Sequence, residues 1–183
     1  MTRFAQYLAA LASANDLEDT IEWLFYPGML PESNCKWWGD FTNRHAAHEG
    51  IDICFYKNRN KRFCSLGPGA AIPAWSAGTV VNVCKDFLGH TLVVEPKNFL
   101  GTATRVVEVF SHLDPCEGIA IGTQVAAGRI IARTSDTRAR GSVLLPHLHL
   151  SCIEVLQKRP VQSLDWSLFP FREKVNLLNP VFM

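Results

Sequence analysis

The sequence lacks three features that would have indicated other classes of protein. No apolar run approaches the ~20 residues that a membrane-spanning helix requires. The formal net charge is only +1, so no overall electrostatic signature of nucleic-acid binding is present. The six cysteines include no Cys-x-x-Cys pair, which argues against a structural zinc knuckle, and free thiols are the expectation. What remains is a chain of 183 residues with 48% hydrophobic content, enough for one ordinary core.

Metal-ligating residue types recur in three short motifs. His48 and Asp52 lie in His-Glu-Gly-Ile-Asp, His112 in Phe-Ser-His-Leu-Asp, and His147 and His149 in Pro-His-Leu-His-Leu. Two imidazoles and one carboxylate can hold a zinc ion and leave its fourth position open. This ligand number is typical of catalytic zinc sites, because structural sites are usually closed by four protein ligands.

The first motif is predicted to place two of these residues on one face of a strand. The segment 48–56 is apolar-rich, and side chains two or four apart on a strand point the same way. His48 and Asp52 should then share a face. Gly50 between them would leave room for an ion or a substrate backbone.

The other two motifs also accompany predicted strands. The segment 144–156 reads as a strand that presents His147 and His149 on one face, and His112 follows a predicted strand at 106–110. Taken alone, a His-x-His pair is more often a surface or satisfied core pair, and His-x-x-x-Asp is a weaker signal still. Their order and their shared strand context favour a common site.

Together these motifs resemble those of a known family, the M23 zinc metallopeptidases of the lysostaphin and LytM type. The family's motifs are His-x-x-x-Asp, then His-Leu after a strand, then His-x-His, and all three occur here in that order. The resemblance covers about residues 44–182. Accompanying segments that also fit are 76–80, 89–94 and 178–180.

The resemblance implies a role for each of the five residues. His48, Asp52 and His149 match the ligands of one Zn²⁺ per chain, while His147 and His112 match catalytic residues near the metal. The family hydrolyses peptide bonds of bacterial cell-wall peptidoglycan, so peptidoglycan peptides are the implied partner and the cell envelope the implied location. Degenerate members that activate other hydrolases have lost ligands, whereas this chain keeps all five positions.

The resemblance also implies a mainly β fold, a duplicated β-sandwich (barrel-sandwich hybrid) of the LytM type. The β-branched segments at 79–84, 91–95, 105–110 and 129–134 are predicted strands. A weak internal echo between 76–81 and 126–131 fits such a duplication. We expect an M23-like domain over 44–183, preceded by a helical and loop extension over 1–43 that packs on it.

The N-terminal extension carries two predicted helices. Phe4, Tyr7, Leu8 and Leu11 recur at helical spacing, and a second helix is predicted over 16–24. The first stretch also faintly resembles a signal peptide with an Ala-x-Ala cleavage pattern. An amphipathic helix explains it at least as well, so the export route is left open.

Four further residues are candidate substrate contacts: Arg138 and Arg140 in the loop before the last motif, Trp38, and His45. For the tryptophan the alternative is packing of the helices onto the sheet. The segment 54–73 after Asp52, which carries four basic residues, is expected to be a solvated surface loop or a wall of the cleft. Asp114 is a candidate hydrogen-bond partner for His112, because metal-site histidines usually have one.

Three functions remain open from sequence alone. The first is a zinc endopeptidase acting on peptidoglycan, with the scissile bond unspecified between Gly-Gly and a D-amino-acid crosslink. The second is a zinc peptidase acting on a peptide outside the wall. The third is a non-catalytic wall-binding or regulatory module on the same fold, against which the retention of all five residues counts.

Overall fold

The structure, a computed structural model, describes residues 1–17, 20–97, 103–171 and 173–183. A helix, α1 (Arg3–Ser13), comes first. The strands that follow are β1 (Thr20–Leu24), β2 (Ile51–Ile53), β3 (Phe55–Asn58), β4 (Phe63–Ser65), β5 (Ala71–Pro73), β6 (Gly78–Lys85), β7 (His90–Pro96), β8 (Thr104–Pro115), β9 (Gln124–Val125), β10 (Ile130–Thr134), β11 (Leu148–Leu156) and β12 (Asn176–Leu178). Single 3₁₀ turns cover Pro27–Met29, Val161–Ser163 and Pro180–Phe182. No helix in the described part of the chain is long and apolar enough to cross a membrane.

The strands form one large and one small antiparallel sheet. The large sheet has the order β12-β11-β8-β7-β6-β9, and β2 adds to it beside β11 while β10 bridges β8 and β5. The small sheet has the order β1-β3-β4. Strand β8 is central because it pairs with β7, β10 and β11, and it therefore brings distant parts of the chain together.

The large sheet is covered on both faces because its strands direct apolar side chains to each of them. Val107 and Val109 of β8 pack against Leu164 and Phe169 of the C-terminal segment. Phe110 points to the opposite face and joins the core that α1 covers. The alternation along β8 thus places α1 and the segment that carries Leu164 and Phe169 on opposite sides of one sheet.

The predicted mainly β fold with an N-terminal helix is confirmed. Strands β6, β7, β8 and β10 lie where the β-branched segments predicted them. Both segments of the internal echo form a turn followed by a strand, in β6 and β10. The division of the chain at residue 43 stays a prediction.

The predicted second helix is wrong. Residues Thr20–Leu24 form β1, which pairs antiparallel with β3. This stretch is Thr-Ile-Glu-Trp-Leu, rich in the β-branched and aromatic residues that favour strands, and the hydrogen-bonding edge of β3 outweighs its helical spacing. The region after Asp52, expected to be a loop, is instead the β3–β4 hairpin.

Helix α1 is fixed to the sheet by both packing and polar contacts. Its residues Phe4, Tyr7 and Leu11 are buried, and the Tyr7 hydroxyl donates to the Pro73 carbonyl at 3.2 Å. After the helix, the Asn15 side chain donates to and accepts from the backbone of Ala71 at 2.8 and 2.7 Å. This exchange of two hydrogen bonds mimics strand pairing and ends the helix at a defined point on the sheet.

A buried carboxylate lies beneath the start of α1. Glu108 of β8 accepts hydrogen bonds from the Ser76 backbone and hydroxyl, and the Arg3 guanidinium lies 3.8 Å from it. Burial raises the pKa of Glu108 to about 7, although Ser76 and Arg3 act in the opposite direction. The ionised form is therefore disfavoured in the folded state relative to the unfolded state.

This predicts a pH-dependent contribution to stability. Because the folded-state pKa of Glu108 lies above its unfolded value, its ionisation should lower the free energy of unfolding as pH rises from about 4.5 to about 7. The variant Glu108→Gln should lack this decline, which amounts to on the order of 1–3 kcal/mol. Urea unfolding at pH 4.5 and pH 8 measures this decline in the free energy of unfolding. The variant Glu117→Gln, at an exposed glutamate, is the control and should behave as wild type. Equal declines in Glu108→Gln and wild type would contradict the prediction.

Candidate metal centre

Three side chains from separate parts of the chain converge at one buried point. Asp52 of β2 lies opposite His149 of β11 in the antiparallel register, so strand pairing alone brings these two together. Asp52 Oδ1 is 2.8 Å from His149 Nδ1 and 3.2 Å from His48 Nε2. The two imidazole nitrogens are 3.0 Å apart.

The backbone segment that positions His48 is not the one that the sequence predicted. Strand β2 begins only at Ile51, so His48 lies in the loop before it and not on a shared strand face. Its backbone is held instead by the preceding loop: its N–H donates to the Ser33 carbonyl and its carbonyl accepts from the Glu32 N–H, both at 3.0 Å. The loop, and not strand periodicity, positions this imidazole.

Gly50 also serves a different purpose from the expected one. A Cβ atom at this position would lie 2.4 Å from the Leu150 carbonyl oxygen and 2.5 Å from the Ser151 hydroxyl. The glycine therefore permits close approach of the chain to β11, and not access of an ion or substrate. That approach is what places Asp52 against His149.

The protonation pattern of the cluster fits a bound cation. His48 Nδ1 is 3.1 Å from the Leu30 carbonyl and donates its proton there, which leaves Nε2 with a lone pair. His149 Nε2 lies 3.0 Å from the Ser151 hydroxyl, which leaves Nδ1 to face the centre. Two ring nitrogens and one carboxylate oxygen, all within 4.8 Å of one another, thus converge as acceptors. Such a set needs a cation or a proton between its members, and its nitrogen and oxygen ligands suit Zn²⁺.

The other oxygen of Asp52 is held away from the centre. Trp37 Nε1 donates to Oδ2 at 2.6 Å, and Arg44 Nη2 lies 3.5 Å from the same atom. Burial opposes ionisation, but electrostatic interactions and hydrogen bonds with the neighbouring histidines hold the pKa of Asp52 well below its usual value. Asp52 is therefore an ionised carboxylate that presents one oxygen, Oδ1, to the centre.

His147 lies beside the three converging residues. It immediately precedes β11, and its Nε2 is 3.7 Å from Asp52 Oδ1. Its Nδ1 donates to the Leu145 carbonyl at 2.7 Å, and its ring meets Trp37 edge-on at 5.2 Å. Burial lowers its pKa to about 4, so the imidazole is neutral at pH 7.

His112 completes the group, with a partner that the sequence did not indicate. It lies within β8 and not after the strand, and its ring centroid is 5.0 Å from that of His147. Its Nδ1 contacts Asp86 at 3.1 Å. The suggested partner Asp114 is half exposed and pairs with Arg140 at 3.1 Å, so that expectation is corrected.

A cavity of about 320 Å³ opens over these five residues. Trp38 and His45, two of the predicted substrate contacts, line it. Its walls also include Phe87, Leu144 and Trp166, which sequence reasoning missed. The described lining does not include Arg138 or Arg140, and a substrate contact by these arginines stays a prediction.

Trp37 and Asp86 were missed because their contacts are not local. No sequence periodicity links Trp37 to Asp52, fifteen residues further on. Asp86 lies 26 residues before His112 and meets it through the pairing of β7 with β8. The one available signal was the family expectation that metal-site histidines have hydrogen-bond partners.

Several solved structures are similar to this chain in fold. No protein-family model and no curated protein sequence matches the chain. Lysostaphin is similar at a TM-score of 0.46 and 18% identity, over 80% of this chain and 46% of that one. The chain resembles the M23 peptidases. The catalytic domain of EnpA, a prophage-encoded M23 protein from Enterococcus faecalis, is similar at a TM-score of 0.47 and 17% identity. The match covers 86% of this chain and 93% of that one.

A third solved structure, Csd3 of Helicobacter pylori, gives a TM-score of 0.45 and 20% identity over 89% of this chain and 36% of that one. The chain therefore spans about half the length of lysostaphin and about a third of Csd3.

The role of Trp37 can be tested by its effect on metal affinity. Trp37→Phe removes the hydrogen bond that turns Asp52 Oδ2 away from the centre, so the carboxylate loses its fixed orientation. We expect zinc affinity to fall about 10- to 100-fold. Competition with a chromogenic chelator measures it, and Trp38→Phe, in the adjacent cleft residue, should leave affinity unchanged. Equal affinities of Trp37→Phe and wild type would contradict this role.

Proposed function

We propose that this protein is a zinc-dependent endopeptidase that hydrolyses peptide bonds of bacterial cell-wall peptidoglycan. The observation that carries the proposal is the convergence of His48 Nε2, His149 Nδ1 and Asp52 Oδ1 as three acceptors in a buried centre. Three protein ligands leave one position for water or substrate, which is the arrangement of a catalytic site. One zinc per chain is implied.

The remaining histidines supply proton transfer. Bound zinc acts as a Lewis acid and lowers the pKa of a coordinated water to roughly 7. His147 and His112 both direct Nδ1 to protein acceptors, the Leu145 carbonyl and Asp86, which leaves Nε2 as the acceptor nitrogen of each ring. A neutral His147 at pH 7 can take a proton from the attacking water. His112 Nε2 can orient the same water, and the proton taken up by His147 Nε2 can then pass to the leaving amine.

The substrate proposal rests on the motif resemblance together with the shape of the cleft. The cavity is lined by Trp38, Phe87 and Trp166, whose flat rings can flank an extended peptide beside the centre. Peptidoglycan peptides are the substrates that the resemblance implies, and a cell-envelope location follows from them.

Metal content and turnover test this function first. Elemental analysis should find about one zinc per wild-type chain and none in His149→Ala, since that change removes one of three ligands. Purified sacculi and unrelated peptides are then supplied to the zinc-loaded protein. Release of muropeptide fragments supports the proposal, while cleavage of unrelated peptides alone would indicate a peptidase acting outside the wall. Zinc without any hydrolysis would indicate a binding module.

The division of roles among the histidines gives a second test. His147→Ala and His112→Ala should each retain zinc but lose hydrolysis by at least about 100-fold, because each removes a proton-transfer group. Zinc content and kcat are measured on the same preparations. His90→Ala, at a histidine outside the described lining of the cavity, serves as the control. Loss of zinc from His147→Ala would show that His147 is a ligand.

A further inference from the structure

A buried carboxylate outside the three motifs contacts His112 twice. Asp86 Oδ1 accepts from His112 Nδ1 at 3.1 Å, and Oδ2 accepts from the His112 backbone N–H at 3.0 Å. The Leu88 N–H donates to Oδ1 and the Thr91 hydroxyl to Oδ2, both at 2.8 Å. Each oxygen is thus shared between His112 and a neighbour that fixes the carboxylate itself.

The backbone of His112 needs such an anchor. Its φ of +69° lies in the left-handed region, which non-glycine residues seldom adopt and which is rarer still within a strand. Conformations of this kind persist where surrounding contacts over-determine them, and they cluster at active sites. Two hydrogen bonds hold this backbone directly: the His112 N–H donates to Asp86, and the His112 carbonyl accepts from the Ser135 N–H at 3.1 Å.

Aromatic rings and a directional chain of hydrogen bonds hold the imidazole further. Phe87 contacts the His112 ring at 4.8 Å, and the Trp166 ring lies nearly parallel to it, with an interplanar angle of 8° and centroids 6.4 Å apart. Trp166 Nε1 donates to the Thr91 hydroxyl at 2.8 Å. Since that hydroxyl gives its own proton to Asp86, the chain runs in one direction from Trp166 to the carboxylate.

We propose that Asp86 is a positioning residue for His112, fixing its ring orientation and placing the proton of the neutral imidazole on Nδ1. An ionised carboxylate can only accept hydrogen bonds, so Nδ1 must donate and Nε2 keeps the lone pair. This is the logic by which the aspartate of a Ser-His-Asp triad sets the tautomer of its histidine. The expected effect of Asp86 on hydrolysis rests on the proposed function, whereas its effect on the His112 tautomer does not.

Charge and geometry distinguish Asp86 from Asp114, the other aspartate near His112. Although burial raises it, hydrogen bonds from His112 and Thr91 hold the pKa of Asp86 below its usual value, so the carboxylate is ionised at neutral pH. Asp114 lies only two residues from His112 along the chain, yet it is exposed and pairs with Arg140. These two aspartates therefore form a matched pair for mutation.

The test compares Asp86→Asn with Asp114→Asn. An amide keeps the shape of the side chain but offers one acceptor, so its NH₂ should face His112 Nδ1 and move the ring proton to Nε2. We expect Asp86→Asn to keep zinc and its unfolding temperature and to lose about 10- to 100-fold in kcat with KM nearly unchanged. Asp114→Asn should match wild type. Wild-type kcat in Asp86→Asn, or loss of its zinc, would overturn the proposal.

A second measurement does not depend on hydrolysis. Nitrogen chemical shifts of ¹⁵N-labelled histidine report which ring nitrogen carries the proton, with His112→Gln used to assign the signal. Wild type should show His112 protonated at Nδ1, and Asp86→Asn should show it protonated at Nε2. If no peptide is hydrolysed, the proposed function fails while this comparison still decides the role of Asp86. Wild-type protonation at Nε2 would overturn the role, whether or not the variant folds.

Discussion

The carboxylate of Asp52 is the group on which the rest of the site depends. A buried anion is costly unless it is paired, and here every neighbour contributes to that pairing. His48 and His149 face Oδ1, while Trp37 donates to Oδ2 with Arg44 close by. Removing the Trp37 indole would leave Asp52 Oδ2 without the hydrogen bond that this ring donates.

This requirement explains the construction of the surrounding fold. The pairing of β2 with β11 places Asp52 opposite His149, and Gly50 allows the strands to approach closely enough. The loop before residue 44 supplies the Leu30 carbonyl, the Trp37 indole and the Trp38 wall. A segment expected to be an extension therefore contributes groups to the centre, while the division at residue 43 stays a prediction.

The two histidines beside the centre share one design. Each donates Nδ1–H to a protein acceptor, a backbone carbonyl for His147 and a buried carboxylate for His112. Fixing the tautomer on the protein side leaves Nε2 of each ring for chemistry. The acceptors differ, neutral for His147 and charged for His112, although the two ring centroids lie only 5.0 Å apart.

The sequence by itself determined the five residues, their order and the strands that carry most of them, because spacing of two and four residues and β-branched runs are local signals. It also predicted the mainly β fold and the first helix. Tertiary structure alone decided that Thr20–Leu24 is a strand, that His48 is held by a loop, and that Trp37 and Asp86 serve Asp52 and His112. These outcomes depend on hydrogen bonds between residues far apart in the chain, and no local pattern encodes such partners.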